Sequence, residues 1–183
     1  MRTLLFLLEE PSARDLLEGL LPRLLHGRAV SRYLVFEGKQ DLERNVRRKI
    51  LGWQQPDTRF VVLRDQDAGD CHEVKADLLQ LVPREHHEAT VVRIACRELE
   101  AWAIGDWTAV ATAFEQPKLA ELDRKSLYRT PDALHSPVAE LRKHVPTYQK
   151  RDGARRLGPL LDPARNRSKS FQVFCRTISA LAE

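Results

Sequence analysis

No run of apolar residues in this 183-residue chain approaches the about 18 that a membrane-spanning helix needs, so no transmembrane segment is predicted. The opening Met1-Arg2-Thr3-Leu4 looks like a secretion signal only until Glu9 and Glu10, which interrupt it before an apolar stretch of useful length forms. Cysteine is scarce: Cys71, Cys96 and Cys175 are odd in number and far apart, which argues against a disulfide framework and for a reducing compartment. A cytoplasmic location is therefore expected. Cys71-His72 and His86-His87 carry metal-capable atoms, but no C-x-x-C or H-x-x-x-H spacing accompanies them, so zinc lacks its usual ligand pattern. Internal repeats and low-complexity segments are also missing, which excludes a solenoid.

What remains is an ordinary globular composition, 43% hydrophobic and 31% charged, in a chain long enough for one domain with a real core. Its charge is uneven. Residues 1–100 carry 16 Lys or Arg against 17 Asp or Glu, whereas residues 101–183 carry 14 against 9. Most of the excess lies between Arg142 and Arg176, where only Asp152 and Asp162 are acidic. A basic tail suits a polyanionic partner, or equally a solvated surface.

Short apolar runs alternate with helical patterns along the first half. Strands are expected at 3–8, 32–36, 58–64 and 90–95, and helices from Ser12, from about Asp41 to Leu51, from about Cys71 to Leu81 and from Glu98 to about Ile104. Ser12 is the expected cap of a helix with Leu16, Leu17, Leu20, Leu21 and Leu24 on one face. This order predicts an α/β fold with a mostly parallel four-stranded sheet flanked by helices. After Phe114, Pro117, Pro131, Pro137, Pro146, Pro159 and Pro163 break the chain into short helices and turns. A last amphipathic helix, Ser170 to Ala182, offers Phe171, Phe174, Ile178 and Leu181 to the sheet. The chain is thus read as an α/β core over 1–115 and a basic helical appendage over 116–183, packed into one compact domain.

Three strands end in paired acids: Glu9-Glu10, Asp65-x-Asp67 and Glu98-x-Glu100. Ligands of open α/β sheets sit beyond the carboxyl ends of the strands, so neighbouring strands would bring six acids to one edge. Like charges so placed resist ionisation unless a cation joins them, and all-oxygen ligation favours Mg²⁺ or Mn²⁺. Asp65 and Asp67 reach one cation if their segment stays extended. Glu98 and Glu100 diverge on a helix, and Glu98, nearer the strand, is the better ligand candidate. Asp70 is a further candidate acid, more simply read as a helix cap. A phosphoacceptor receiver domain also groups acids at strand ends, but it needs a Lys after the last strand, where this chain has Cys96-Arg97-Glu98.

The Glu after the first strand and the Asp-x-Asp after the third resemble the Toprim fold of topoisomerases, primases and OLD-type nucleases. A closer resemblance is to the small bacterial family called domain of unknown function 4276. It rests on Leu8-Glu9-Glu10-Pro11-Ser12, Phe36-Glu37-Gly38-Lys39-Gln40-Asp41-Leu42, Val61 to Asp67 with Asp70-Cys71, Arg93 to Trp102 through Gly105-Asp106, Gly153-Ala154, and Leu161 to Phe171. The resemblance implies a Toprim-like core with Glu9 as general acid/base or metal ligand and Asp65 and Asp67 holding Mg²⁺. It also implies partnership with an ABC-type or AAA ATPase in anti-phage loci. Toprim-like relatives often carry a second acid a few residues after the first Glu; here Ala13 and Arg14 precede Asp15, and Glu98 or Glu100 would substitute.

The expected activity is hydrolysis of a DNA or RNA phosphodiester, with a metal at Glu9, Asp65, Asp67 and Glu98, Glu10, Asp70 and Glu100 as further acids, and Lys150, Arg165 and Arg167 gripping flanking phosphates. The alternatives are a non-catalytic ATPase partner and a small-molecule phosphohydrolase. No tyrosine stands in a topoisomerase context, and the length leaves little room for a primase.

Overall fold

The computed structural model describes all residues, Met1–Glu183. Four strands, β1 (Arg2–Leu8), β2 (Ala29–Val35), β3 (Thr58–Asp65) and β4 (Thr90–Ala95), form one sheet in the order β2-β1-β3-β4, every pair parallel. The expected α/β fold is what the chain forms. β1 is buried from Thr3 to Leu8 because both of its faces are covered, which explains its unbroken apolar run. β2 begins three residues before the expected Arg32, since its pairing with β1 starts at Arg2 opposite Ala29.

Helix α1 (Pro11–Leu25) follows β1, α2 (Lys39–Leu51) follows β2, and α3 (Cys71–Leu81) follows β3. Ser12 is not the cap of α1. Pro11, which lacks an N–H and has a φ suited to the first turn, opens the helix, and the Ser12 hydroxyl instead donates to the Glu10 carboxylate. After β4 come α4 (Glu100–Ile104), α5 (Trp107–Ala113), α6 (Pro137–His144), α7 (Lys150–Leu157) and α8 (Lys169–Leu181), with short 3-10 segments between α5 and α6. No helix is long and apolar enough to cross a membrane.

The sheet separates two cores. Leu5, Leu7, Phe60 and Val62 face α2 and α3 in a cluster of 11 buried residues. Leu4, Phe6, Leu8, Val61 and Leu63 face the other helices in a cluster of 36 that includes Leu17 of α1, Trp102 of α4, Leu157 of α7 and Phe171, Phe174 and Ile178 of α8. This larger core joins residues on both sides of position 115. Helices α1 and α7 approach closely: a Cβ at Gly158 would lie 2.3 Å from the Leu16 carbonyl oxygen, so only glycine fits.

The segment from Leu161 to Phe171 stitches this half together. Asn166 Nδ2 donates to the Trp102 carbonyl (2.7 Å), its Oδ1 accepts from Ser168 N (2.9 Å), and Ser168 caps α8 through Phe171 N (3.1 Å). Ser170 Oγ accepts from Trp102 Nε1 (2.9 Å) and from Cys96 N (3.3 Å), the latter the first amide beyond edge strand β4.

Candidate metal site

Strand alternation continues past the sheet and divides the acids between its two faces. Beyond Leu5 and Leu7 stands Glu9, and beyond Phe60 and Val62 stands Arg64. The Arg64 side chain, only 8% exposed, lies 3.8 Å from Glu9, 2.7 Å from Glu43 and 3.6 Å from Asp67. Lys39, at the start of α2, is 3.6 Å from Asp67. On the other face, beyond Leu8 and Leu63, stand Glu10 and Asp65 with Glu100 of α4. Their cation is Lys150, which opens α7 and places Nζ 3.5 Å from Glu10 and 3.9 Å from Glu100. Glu9 joins the two groups, since its Oε2 accepts from Asp65 N at 3.1 Å.

Burial and crowding raise the proton affinity of Asp65, Glu9 and Glu100. Asp65 is raised well above the ordinary aspartate range, first by burial and then by Glu10 and Glu100; among its strongest influences only Lys150 favours ionisation. Burial also raises Glu9, outweighing the Asp65 N–H and Arg64, and raises Glu100 against the pull of Lys150. Glu100 is 3% exposed; its Oε1 accepts from the Tyr148 hydroxyl at 3.2 Å, while its Oε2 is buried with no hydrogen-bond partner. Burial opposes the charge on Lys150, but Glu100, Glu10 and Asp65 together hold its proton more tightly than usual. The Tyr148 ring is fixed from below, because a Cβ at Gly153 would come within 2.1 Å of Tyr148 Cε2.

Several expected roles take a different form. The Asp65-x-Asp67 segment does not stay extended: Asp67 has φ +57°, which turns its carboxylate toward Arg64 and Lys39 instead of alongside Asp65. Glu98, expected to be the better ligand of its pair, accepts from Val138 N at 2.7 Å and caps the first turn of α6; Glu100 is the one that joins Asp65. Glu98 and Asp67 share a separate cavity of about 160 Å³ with Arg97 and His135. Asp70 is the cap of α3, accepting from His72 N (2.8 Å) and Glu73 N (3.1 Å), and stands apart from the cluster. Asp15 is taken by Arg151 (2.6 Å) and Arg155 (3.3 Å).

Arg165 and Arg167 are not free to grip phosphates. Arg165 grasps the fully buried Asp106 with two bonds, Nε to Oδ1 at 2.8 Å and Nη2 to Oδ2 at 2.9 Å, and Arg167 donates to the Asp123 carbonyl. Lys150 points into the acids rather than outward. Tyr148 was not foreseen; the readable signal for Glu100 was a lone acid inside the apolar run Leu99-Glu100-Ala101-Trp102-Ala103.

The donors suit a hard divalent ion in type: carboxylate oxygens, one of them buried without a partner, and an aspartate whose proton affinity is raised by burial and then by like charges. The Lys39 and Lys150 contacts, at 3.5 Å or more, are longer than the about 2.7–2.9 Å of a charge-assisted hydrogen bond, so these ammonium groups are loosely held. No three acidic, histidine or cysteine side chains converge closely enough to form a ready coordination shell.

Among solved structures, the C-terminal region of the Burkholderia pseudomallei OLD protein is similar to this chain, with a TM-score of 0.57 over 98% of each chain at 17% identity. At that identity the likeness is one of fold, and it agrees with the Toprim-like core expected from the motifs. No curated protein matches the chain. The model of the family described as Domain of unknown function (DUF4276) matches residues 8–179, nearly the whole chain, and the protein belongs to that family.

Proposed function

We propose that the protein hydrolyses phosphodiester bonds of DNA or RNA with the help of Mg²⁺ or Mn²⁺, as a Toprim-like nuclease. The observation that carries this reading is the placing of Glu9, Glu10 and Asp65 at the carboxyl ends of adjacent strands β1 and β3, with Glu100 of α4 near enough to join burial and Glu10 in raising the proton affinity of Asp65. Glu9, Asp65 and Glu100 are the residues that would hold the ion, with Asp67 entering from the other face. Bound there, a divalent cation supplies charge stabilisation to a phosphoryl oxygen. Glu9, whose proton affinity is raised, moves a proton to or from the attacking water. Lys150 brings its ammonium to the same place and offsets charge on the phosphate as it leaves Glu10. Fold likeness to the OLD region supports the choice of nucleic acid over a small phosphate ester, and a role as a defence effector beside an ABC-type or AAA ATPase belongs to the same proposal.

A second reading, a non-catalytic partner of such an ATPase, is favoured by one observation: Arg64, Lys39 and Lys150 already pair with the acids internally. Cleavage of single- and double-stranded DNA and RNA with Mg²⁺, Mn²⁺ or chelator, by the protein alone and with its partner ATPase, separates the two. Divalent-dependent cleavage that disappears in Asp65→Asn and Glu9→Gln supports the nuclease. Absence of cleavage in every combination, with intact ATPase binding, supports the partner role.

A further inference from the structure

Two of the three cysteines line one cavity although 25 positions separate them. Cys71 is the first residue of α3, and Cys96 directly follows β4. Both are half-buried and free, and both line a cavity of about 260 Å³ between the first turns of α3 and α8, outside the edge of β4. The Cys71 thiol is among the groups that raise the proton affinity of Cys96. The start of the loop that leads to Cys71 is tied to the residues flanking Cys96: Gln66 N donates to the Ala95 carbonyl (2.9 Å), Asp67 N to the Arg97 carbonyl (3.0 Å) and Arg97 N to Gln66 Oε1 (3.1 Å). Cys175 is buried in the larger core, away from this pair.

We propose that Cys71 and Cys96 are a redox site, a dithiol that a hydroperoxide closes to a disulfide and a thiol reductant reopens. Burial, ahead of nearby Asp132 and Cys71, pushes the Cys96 thiol up to about 11, which suits it to the second, resolving step and leaves the first attack to Cys71, at the open start of α3. The Cys71 sulfur, giving up its proton, attacks a peroxide oxygen and the O–O bond breaks. For hydrogen peroxide, the departing hydroxide takes up a proton as water and Cys71 becomes a sulfenic acid. The Cys96 sulfur then displaces that oxygen: an S–S bond forms, the S–O bond breaks, and the Cys96 proton leaves with the second water. Two thiols lose two electrons and one peroxide gains them. The bond staples the segment bearing Asp67 to the one bearing Glu98 and Glu100.

The test is independent of any cleavage activity. The reduced full chain is treated with hydrogen peroxide, alkylated, and analysed by intact mass and by non-reducing peptide mapping. The expected result is the loss of two hydrogens, a peptide linking Cys71 to Cys96, a Cys175 thiol still alkylated after unfolding, and full reversal by a thiol reductant. In Cys96→Ser, Cys71 stops at the sulfenic acid and is captured by dimedone. Full alkylation of both cysteines after peroxide, a link between two molecules, or a link to Cys175 overturns the proposal.

Discussion

Replacing Arg165 with Met separates a structural role from a phosphate-gripping one. Asp106 is wholly buried; it caps α5 through Ala109 N (3.0 Å), accepts from Asp162 N (3.1 Å) and takes two short bonds from Arg165. Met keeps much of the apolar bulk but leaves the carboxylate without its counter-ion. Breaking a buried pair by removing one partner costs about 3–5 kcal/mol. The Arg165 side chain is 41% exposed, so water screens part of the charge and the lower end, about 3 kcal/mol, applies. For a domain of this size 1 kcal/mol moves the melting temperature by about 2–4 °C, so the expected drop is about 6–12 °C. Calorimetric melting gives that shift, and nucleic-acid binding measured well below both transitions is expected to be unchanged. An unaltered melting temperature with weakened binding would refute the structural assignment of Arg165.

Glu98→Ala is expected to cost about 1 kcal/mol, as a lost cap does, and to retain cleavage, whereas Glu100→Gln abolishes divalent-dependent cleavage while remaining folded; melting and nuclease assays run on both variants check this. The raised proton affinity of Asp65 gives stability a definite slope. Its folded value exceeds the unfolded one, so the folded state holds more protons in between, and stability falls as pH rises through that window. Asp65→Asn mimics the protonated form, so without divalent ion it gains on the parent as pH rises above the ordinary aspartate range, a trend read from melting temperatures at a series of pH values. Gly153→Ala pushes the Tyr148 ring away from Glu100, and a several-fold loss of cleavage without any change to an acid is expected in the same assay.

The sheet was legible in the sequence because a short apolar run bounded by breakers fixes a strand locally, and the paired acids after β1, β3 and β4 marked its carboxyl edge. The division of those acids between two faces was not legible. It depends on the register that sets Glu9 beside Asp65 and on the left-handed turn at Asp67, neither of which leaves a local trace. Glu98 and Glu100 could not be ranked correctly by distance from the strand, because the first turn of α6, forty residues later, captures Glu98. The basic tail misled for a related reason. Charge composition counts Arg165, Arg167 and Lys150 as surface cations, while the fold sends them to Asp106, to the Asp123 carbonyl and into the acidic cluster.

Calorimetric titration of the protein with Mn²⁺ near neutral pH, repeated in two buffers of different ionisation enthalpy, tests the divalent-ion site most directly. Binding at one or two sites with release of protons, lost in Asp65→Asn, is the predicted result, since burial, then Glu10 and Glu100, raise the proton affinity of Asp65 and a cation bound there competes with that proton. No binding, or binding of undiminished strength in Asp65→Asn, would contradict it.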